Sequence, residues 1–318
     1  MRIKRLLLTF IIVVVVIISA LGILDIAKDK SIKILCIGNS FNQDTMAYLP
    51  RILSEVLPDV AFTYGICYTG SAEIKDHINW FYENKGYTVF NYYDQPYDYW
   101  RRYTGRKAKT LSQILEKQDW DIITIQGNSA DVLTESDVNA MIADAKNLKT
   151  ILKSNTRKSF DLVWFEWVSR PMGELSDSEM YDLIQSASLK AAKELKIKTV
   201  IPVGSAFQNA RQVPILAELG DSPQGNLLYS DNIHMQAGIP SLLAAYTTAA
   251  AILDKLGFDP ELIMNSTWVP TDENVKQLRA TRGNGGGMTH GYLTGITDEN
   301  IYSIKLIAIN TVKNNNYN

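Results

Sequence analysis

Apolar residues follow two alternating patterns along most of this chain. Short unbroken runs at 32–37, 60–66, 122–126, 162–167 and 199–203 read as strands buried on both faces, the pattern of a parallel sheet. Segments 45–56, 136–153, 176–195 and 237–256 instead repeat apolar positions at helical spacing. The helices at 136–153 and 176–195 each begin at a serine followed by acidic residues, a good N-terminal signal. Strands and helices in alternation predict βαβ units, and so an α/β domain with five parallel strands in an open, doubly wound sheet. Ligands on such sheets bind beyond the carboxyl ends of the strands. Ser40, Gly70, Asn128 and the segment after Trp167 all fall at those ends.

Three stretches stand outside the alternation. Residues 1–30 open with a short basic segment, followed by an unbroken apolar run from Leu6 to Leu24. As a helix that run would cover roughly 28 Å, close to a hydrocarbon core. The basic end predicts a cytoplasmic N-terminus with the remainder outside the membrane. The reading taken is a membrane anchor; Ile18-Ser19-Ala20 leaves a cleaved signal peptide, and a secreted protein, as the alternative. Residues 80–110 form an insertion crowded with aromatics, expected to pack its rings on the domain or to offer a platform for sugars or acyl groups. Residues 258–318 form a C-terminal extension containing Arg282-Gly283-Asn284-Gly285-Gly286-Gly287, a sharply turning loop that lacks the Gly-Lys-Ser/Thr of a phosphate loop. The central domain is placed at 31–257.

Composition narrows the function classes. The formal net charge is −2 with no basic stripe, which argues against a nucleic-acid partner. Cys36 and Cys67 lie in or beside apolar runs and read as two buried thiols, although export would permit them to pair. Neither their spacing nor the three histidines resemble a zinc-ligand pattern, so no metal or cofactor is expected.

The chemistry rests on Ser40, at the end of the first strand, and on Asp231 and His234 nearly two hundred residues later. A serine hydroxyl needs a neighbouring base to act as nucleophile, usually a histidine oriented by an acid. The Gly-x-Ser-x-Gly elbow of many lipases is absent, because Gly38-Asn39-Ser40-Phe41-Asn42 lacks the second glycine. These residues resemble the SGNH (GDSL-like) hydrolase superfamily instead. Gly38-Asn39-Ser40-Phe41 is similar to its first block, Gly70 to the glycine of the second, Gln126-Gly127-Asn128-Ser129 to the third, and Asp231-Asn232-Ile233-His234 to the fifth. The resemblance runs from about residue 32 to 256 and is strongest to a bacterial branch of exported SGNH-like proteins. Asn39, Gln126 and Ser129 depart from the residues usual in those blocks.

The resemblance implies a flavodoxin-like three-layer αβα sandwich and a serine esterase working through an acyl-enzyme. Ser40 would be the nucleophile, His234 the base, Asp231 its orienting acid. The N–H groups of Ser40 and Gly70, with the Asn128 amide, would form the oxyanion hole, aided by the dipole of the helix that follows Ser40. The expected substrate is a small-molecule or carbohydrate ester, O-acetyl groups first, with lipase or thioesterase chemistry or a catalytically silent carbohydrate-binding or envelope-assembly protein as alternatives. Gln126, Glu166, Trp167 and His77 are candidates for substrate contact, with an ion pair the bland reading of Glu166 and a surface helix that of His77. Asp44 is expected to cap the next helix or hold the loop. His290, in the glycine-rich tail, either covers the site or faces solvent.

Overall fold

A computed structural model describes residues 31–95, 99–170, 172–214, 216–217, 234–280 and 288–314. The predicted anchor at 1–30 lies outside these residues; among the described residues no helix is long and apolar enough to cross a membrane.

The fold is α/β, with one seven-stranded sheet in the order β4-β3-β2-β1-β5-β6-β7. Its strands are β1 (Ser31–Gly38), β2 (Ala61–Tyr68), β3 (Val89–Asp94), β4 (Arg101–Tyr103), β5 (Ile122–Ile125), β6 (Asp161–Glu166) and β7 (Val200–Pro202). Five of them, β2-β1-β5-β6-β7, run parallel. The expected five-stranded, wholly parallel sheet is therefore corrected to a mixed one: at the β2 edge the aromatic insertion adds β3 antiparallel to β2, and β4 antiparallel to β3. Tyr and Phe suit a pleated, half-buried surface, and antiparallel strands need only short connections. Periodicity passed over these strands because they belong to no βαβ unit.

Ten α-helices lie among the described residues: α1 (Ser40–Met46), α2 (Leu49–Val56), α3 (Ile74–Tyr82), α4 (Leu111–Lys117), α5 (Glu135–Asn155), α6 (Asp177–Leu195), α7 (Val203–Ala210), α8 (Ile239–Lys255), α9 (Asp272–Ala280) and α10 (Asp298–Lys313). The single helix expected at 45–56 is split. Pro50 opens α2, and a proline cannot continue the hydrogen bonding of the preceding helix. The chain runs outward from β1 through α1 and α2 to β2, and in the other direction from β5 through α5 and α6 to β7. Right-handed crossovers then put these helix pairs on opposite faces. Contacts agree: α8 packs on α1, α2, α7 and α10, whereas α5 packs on α3, α4 and α6.

Local sequence explains the sharp helix starts. Thr134 caps α5 and Ser176 caps α6, each exchanging bonds with an acidic residue three positions later. Helix α8 is Ala-rich and buried from Ile239 to Leu253, so it forms the spine of its layer. The C-terminal extension belongs to this core, since Ile304, Ala308 and Ile309 of α10 are buried against it. Cys36 and Cys67 are buried free thiols on adjacent strands, and burial pushes Cys36 up to about 12.

Most aromatics of the insertion pack on the domain, as the first of its two readings expected. Tyr87, Phe90, Tyr92, Tyr93 and Trp100 are buried packing residues, while Tyr82 and Tyr99 remain exposed.

Candidate functional site

Ser40 is the first residue of α1, directly beyond the carboxyl end of β1, and is 8% exposed. Asn39 caps the helix: its Oδ1 accepts from Phe41 N at 3.2 Å. The same oxygen accepts from Gln126 Nε2 at 2.7 Å, and Asn39 Nδ2 donates to the Ala72 carbonyl at 3.2 Å. One side chain thus ties together the loops after β1, β2 and β5. Gly38 leaves room for this: an added Cβ would lie 2.8 Å from Gln126 Oε1.

Asn128 stands at the matching place after β5. Its Oδ1 accepts from Ala130 N, its backbone N–H donates to Asp131 Oδ2 at 2.8 Å, and its Nδ2 donates to the Ser71 carbonyl at 2.8 Å. An amide nitrogen has two donors, and among the described residues only one of them is bonded. Ser71 holds a left-handed backbone with φ of 56°, a conformation that costs a non-glycine residue about 1 kcal/mol or more. This strain beside Gly70 turns the Ser71 carbonyl toward Asn128. Burial raises Asp131 to about 6, against the opposing pull of the Asn128 N–H. Tyr68 closes the end of β2; burial, with the charge of Asp44 a smaller cause, keeps its hydroxyl protonated.

The histidine side is assembled from the far end of the chain. His234 stacks on His290, ring centroids 4.0 Å apart and planes 13° from parallel. His290 Nδ1 donates to Asp44 Oδ1 at 3.0 Å. Asp44 lies one turn after Ser40 on α1 and is 1% exposed. The backbones of Gln236 and His290 pair, Gln236 Oε1 accepts from Tyr292 N, and Tyr48 Oη donates to the Ala237 carbonyl. At Gly238 the extension crosses so closely that an added Cβ would lie 2.1 Å from the Thr294 carbonyl oxygen. Ile239 N donates to that oxygen at 2.9 Å.

Against the sequence expectations, Ser40, Gly70 and Asn128 do line up at one sheet edge, and His234 is drawn toward the helix of Ser40 through His290 and Asp44. Asp231 lies outside the described residues. The four residues suggested for substrate contact are placed otherwise. Gln126 is buried and braces Asn39. Glu166 is buried with Oε1 accepting from Ser205 N at 2.5 Å, over Gly204, where any side chain would collide with the Trp167 carbonyl. Trp167 is buried and donates to Ser129 Oγ at 3.1 Å. His77 is neither a pocket nor a surface residue: it is enclosed by Trp80 and Tyr87, and burial lowers it to about 3. Extended runs ending in polar residues do not distinguish a site from the buried bracing beneath it. Asp44 and His290 were visible as residues, but nothing in their spacing joined them.

The chain matches a family model described as Domain of unknown function (DUF4886) over residues 33–281, and it belongs to that family. No curated protein matches it. Among solved structures it is similar to a DUF4886 family protein from Bacteroides uniformis ATCC 8492, with a TM-score of 0.66 and 21% identity over 89% of this chain and 95% of that one. A second structure, BT4096, described as a gut microbial diltiazem-metabolizing enzyme, has a TM-score of 0.42 and 11% identity, over 73% of this chain and 49% of that one.

Proposed function

We propose that this DUF4886 member is a serine esterase of the SGNH type, built on a flavodoxin-like αβα core, that removes short acyl groups, O-acetyl esters above all. The observation that carries the reading is the convergence of Ser40, Gly70 and Asn128 at the carboxyl edge of three neighbouring parallel strands, with an Asp44–His290–His234 assembly against the helix of Ser40.

In this reading His234 takes the proton of Ser40 Oγ as that oxygen attacks the ester carbonyl. The developing oxyanion accepts from the N–H groups of Ser40 and Gly70 and from the second Nδ2 proton of Asn128. Collapse expels the alcohol, which takes the proton from His234, and water then cleaves the acyl-enzyme by the same route. The near burial of Ser40 suits a short acyl group. A separate cleft, whose lining includes none of Ser40, Gly70, Asn128 or His234, combines the ring faces of Tyr99, Trp100 and Trp268 with the amides of Asn274 and Gln277.

The test is hydrolysis of p-nitrophenyl acetate and release of acetate from acetylated polysaccharides by the full-length protein. Ser40→Ala and His234→Ala should each lower kcat/KM by about 10³-fold or more with the fold retained. A wild type without ester turnover, or variants that match it, would sink the proposal.

A further inference from the structure

We infer that Asp44, His234 and His290 form a binding site for a divalent transition-metal ion of the zinc class. Their ligand atoms all lie within 4.8 Å of one another, and together they supply one carboxylate and two imidazoles. That donor set suits zinc, with three protein ligands and a remaining position for water.

Two further observations favour an ion. Asp44 Oδ2 is buried and has no hydrogen-bond partner among the described residues, so half of a carboxylate in the protein interior lacks compensation. A cation bound through Oδ1 would neutralise the charge that the two oxygens share. In addition, Asp44 Oδ1 and His290 Nδ1 are already 3.0 Å apart, close to the roughly 3.3 Å between neighbouring donors around a tetrahedral zinc with bonds of about 2 Å. The two rings are stacked nearly parallel and an imidazole lone pair lies in its ring plane, so shared ligation requires His234 to rotate off His290. Binding through Nδ1 displaces the proton that this nitrogen donates to Asp44 and leaves the ring proton on Nε2, so a hydrogen-bonded pair becomes a pair of ligands. The side chain of His290 is 15% exposed, which leaves an approach for the ion.

A consequence rests on the esterase reading: an ion that takes the His234 nitrogen removes the base, so occupation inhibits turnover. The site itself does not depend on that reading.

Untagged full-length protein, stripped with EDTA, is titrated with ZnCl2 by calorimetry and with CoCl2 by visible absorption, both as wild type and as Ser40→Ala. The expectation is one ion per chain in both, with affinity lowered at least about tenfold in His290→Ala and Asp44→Asn. As a readout independent of those variants, zinc should protect His234 and His290 of the wild type from diethyl pyrocarbonate, with buried His77 as the internal control. Absence of binding, or binding that neither substitution weakens and that protects neither histidine, overturns the site. Zinc should also suppress p-nitrophenyl acetate turnover, reversibly with EDTA; binding without suppression overturns the inhibitory role alone. Binding by a protein that hydrolyses no ester leaves the site standing and removes the esterase instead.

Discussion

The serine side and the histidine side of the site are built by different means. On the serine side, three loops leave adjacent strands of one sheet and are locked by Asn39, Gln126 and Asn128 at distances of 2.7–3.2 Å. The sheet register positions them, so each loop needs only a cap and one cross-link. On the histidine side, His234 precedes α8 and His290 arrives from the extension, and a close backbone crossing at Gly238 and Thr294 holds them. A side assembled by neighbouring strands should tolerate local change, whereas one assembled by a single crossing should fail as a unit.

The largest expected effect probes the serine side. In the proposed esterase reading, Asn128→Ala removes one oxyanion donor and should lower kcat by about 10²–10³-fold, or about 3–4 kcal/mol of transition-state stabilisation. Loss of the cap to Ala130 should cost stability only about 1 kcal/mol, so kcat measured beside Tm separates the two roles. A fall in Tm without a matching fall in kcat would make Asn128 a loop residue and no more.

Gly238→Ala strikes the histidine side. A Cβ placed 2.1 Å from backbone oxygen forces the extension off α8, at an expected cost of about 3 kcal/mol in chemical denaturation. Gly70→Ala is the comparison: its Cβ meets only Tyr68 Oη at 3.4 Å, so its unfolding midpoint should stay near that of wild type. Equal losses at both glycines would erase the contrast between the two sides.

The smallest effect concerns pH. His77 has its folded value depressed from 6.5 to about 3, so its contribution is fully present above 6.5 and is lost as pH falls toward 3. Lowering pH from 7 to 5 should cost about 2 kcal/mol of stability through this residue. Asp131 acts in the opposite sense: with its folded value raised to about 6, the contribution it makes at low pH is lost as pH rises through that value. The difference between wild type and His77→Phe cancels the Asp131 share. That difference should shrink on acidification; if it stays constant, His77 is not neutral in the folded protein.

Much of the fold was legible because its signals are local. Ser176 caps α6 where a serine and an acidic first turn said it would, and five parallel strands lie near their apolar runs. The edge strands β3 and β4 were not legible, since Tyr-rich segments satisfy a core, a sugar platform and an antiparallel strand alike. Gln126, Glu166 and Trp167 were placed at the right sheet edge but on the wrong side of its surface. Sequence position locates a strand end, while burial of the side chain depends on what packs above it.

Taken by itself, the sequence determined the α/β class, the cap of α6 at Ser176, and the arrival of Ser40, Gly70 and Asn128 at strand ends, because period and capping act over a few residues. Only the tertiary structure brought His290 onto Asp44 across 246 residues of chain, stacked it on His234, and left one carboxylate oxygen buried without a partner among the described residues. That pairing depends on where α8 and the extension dock, a matter of packing between distant segments that no local pattern encodes.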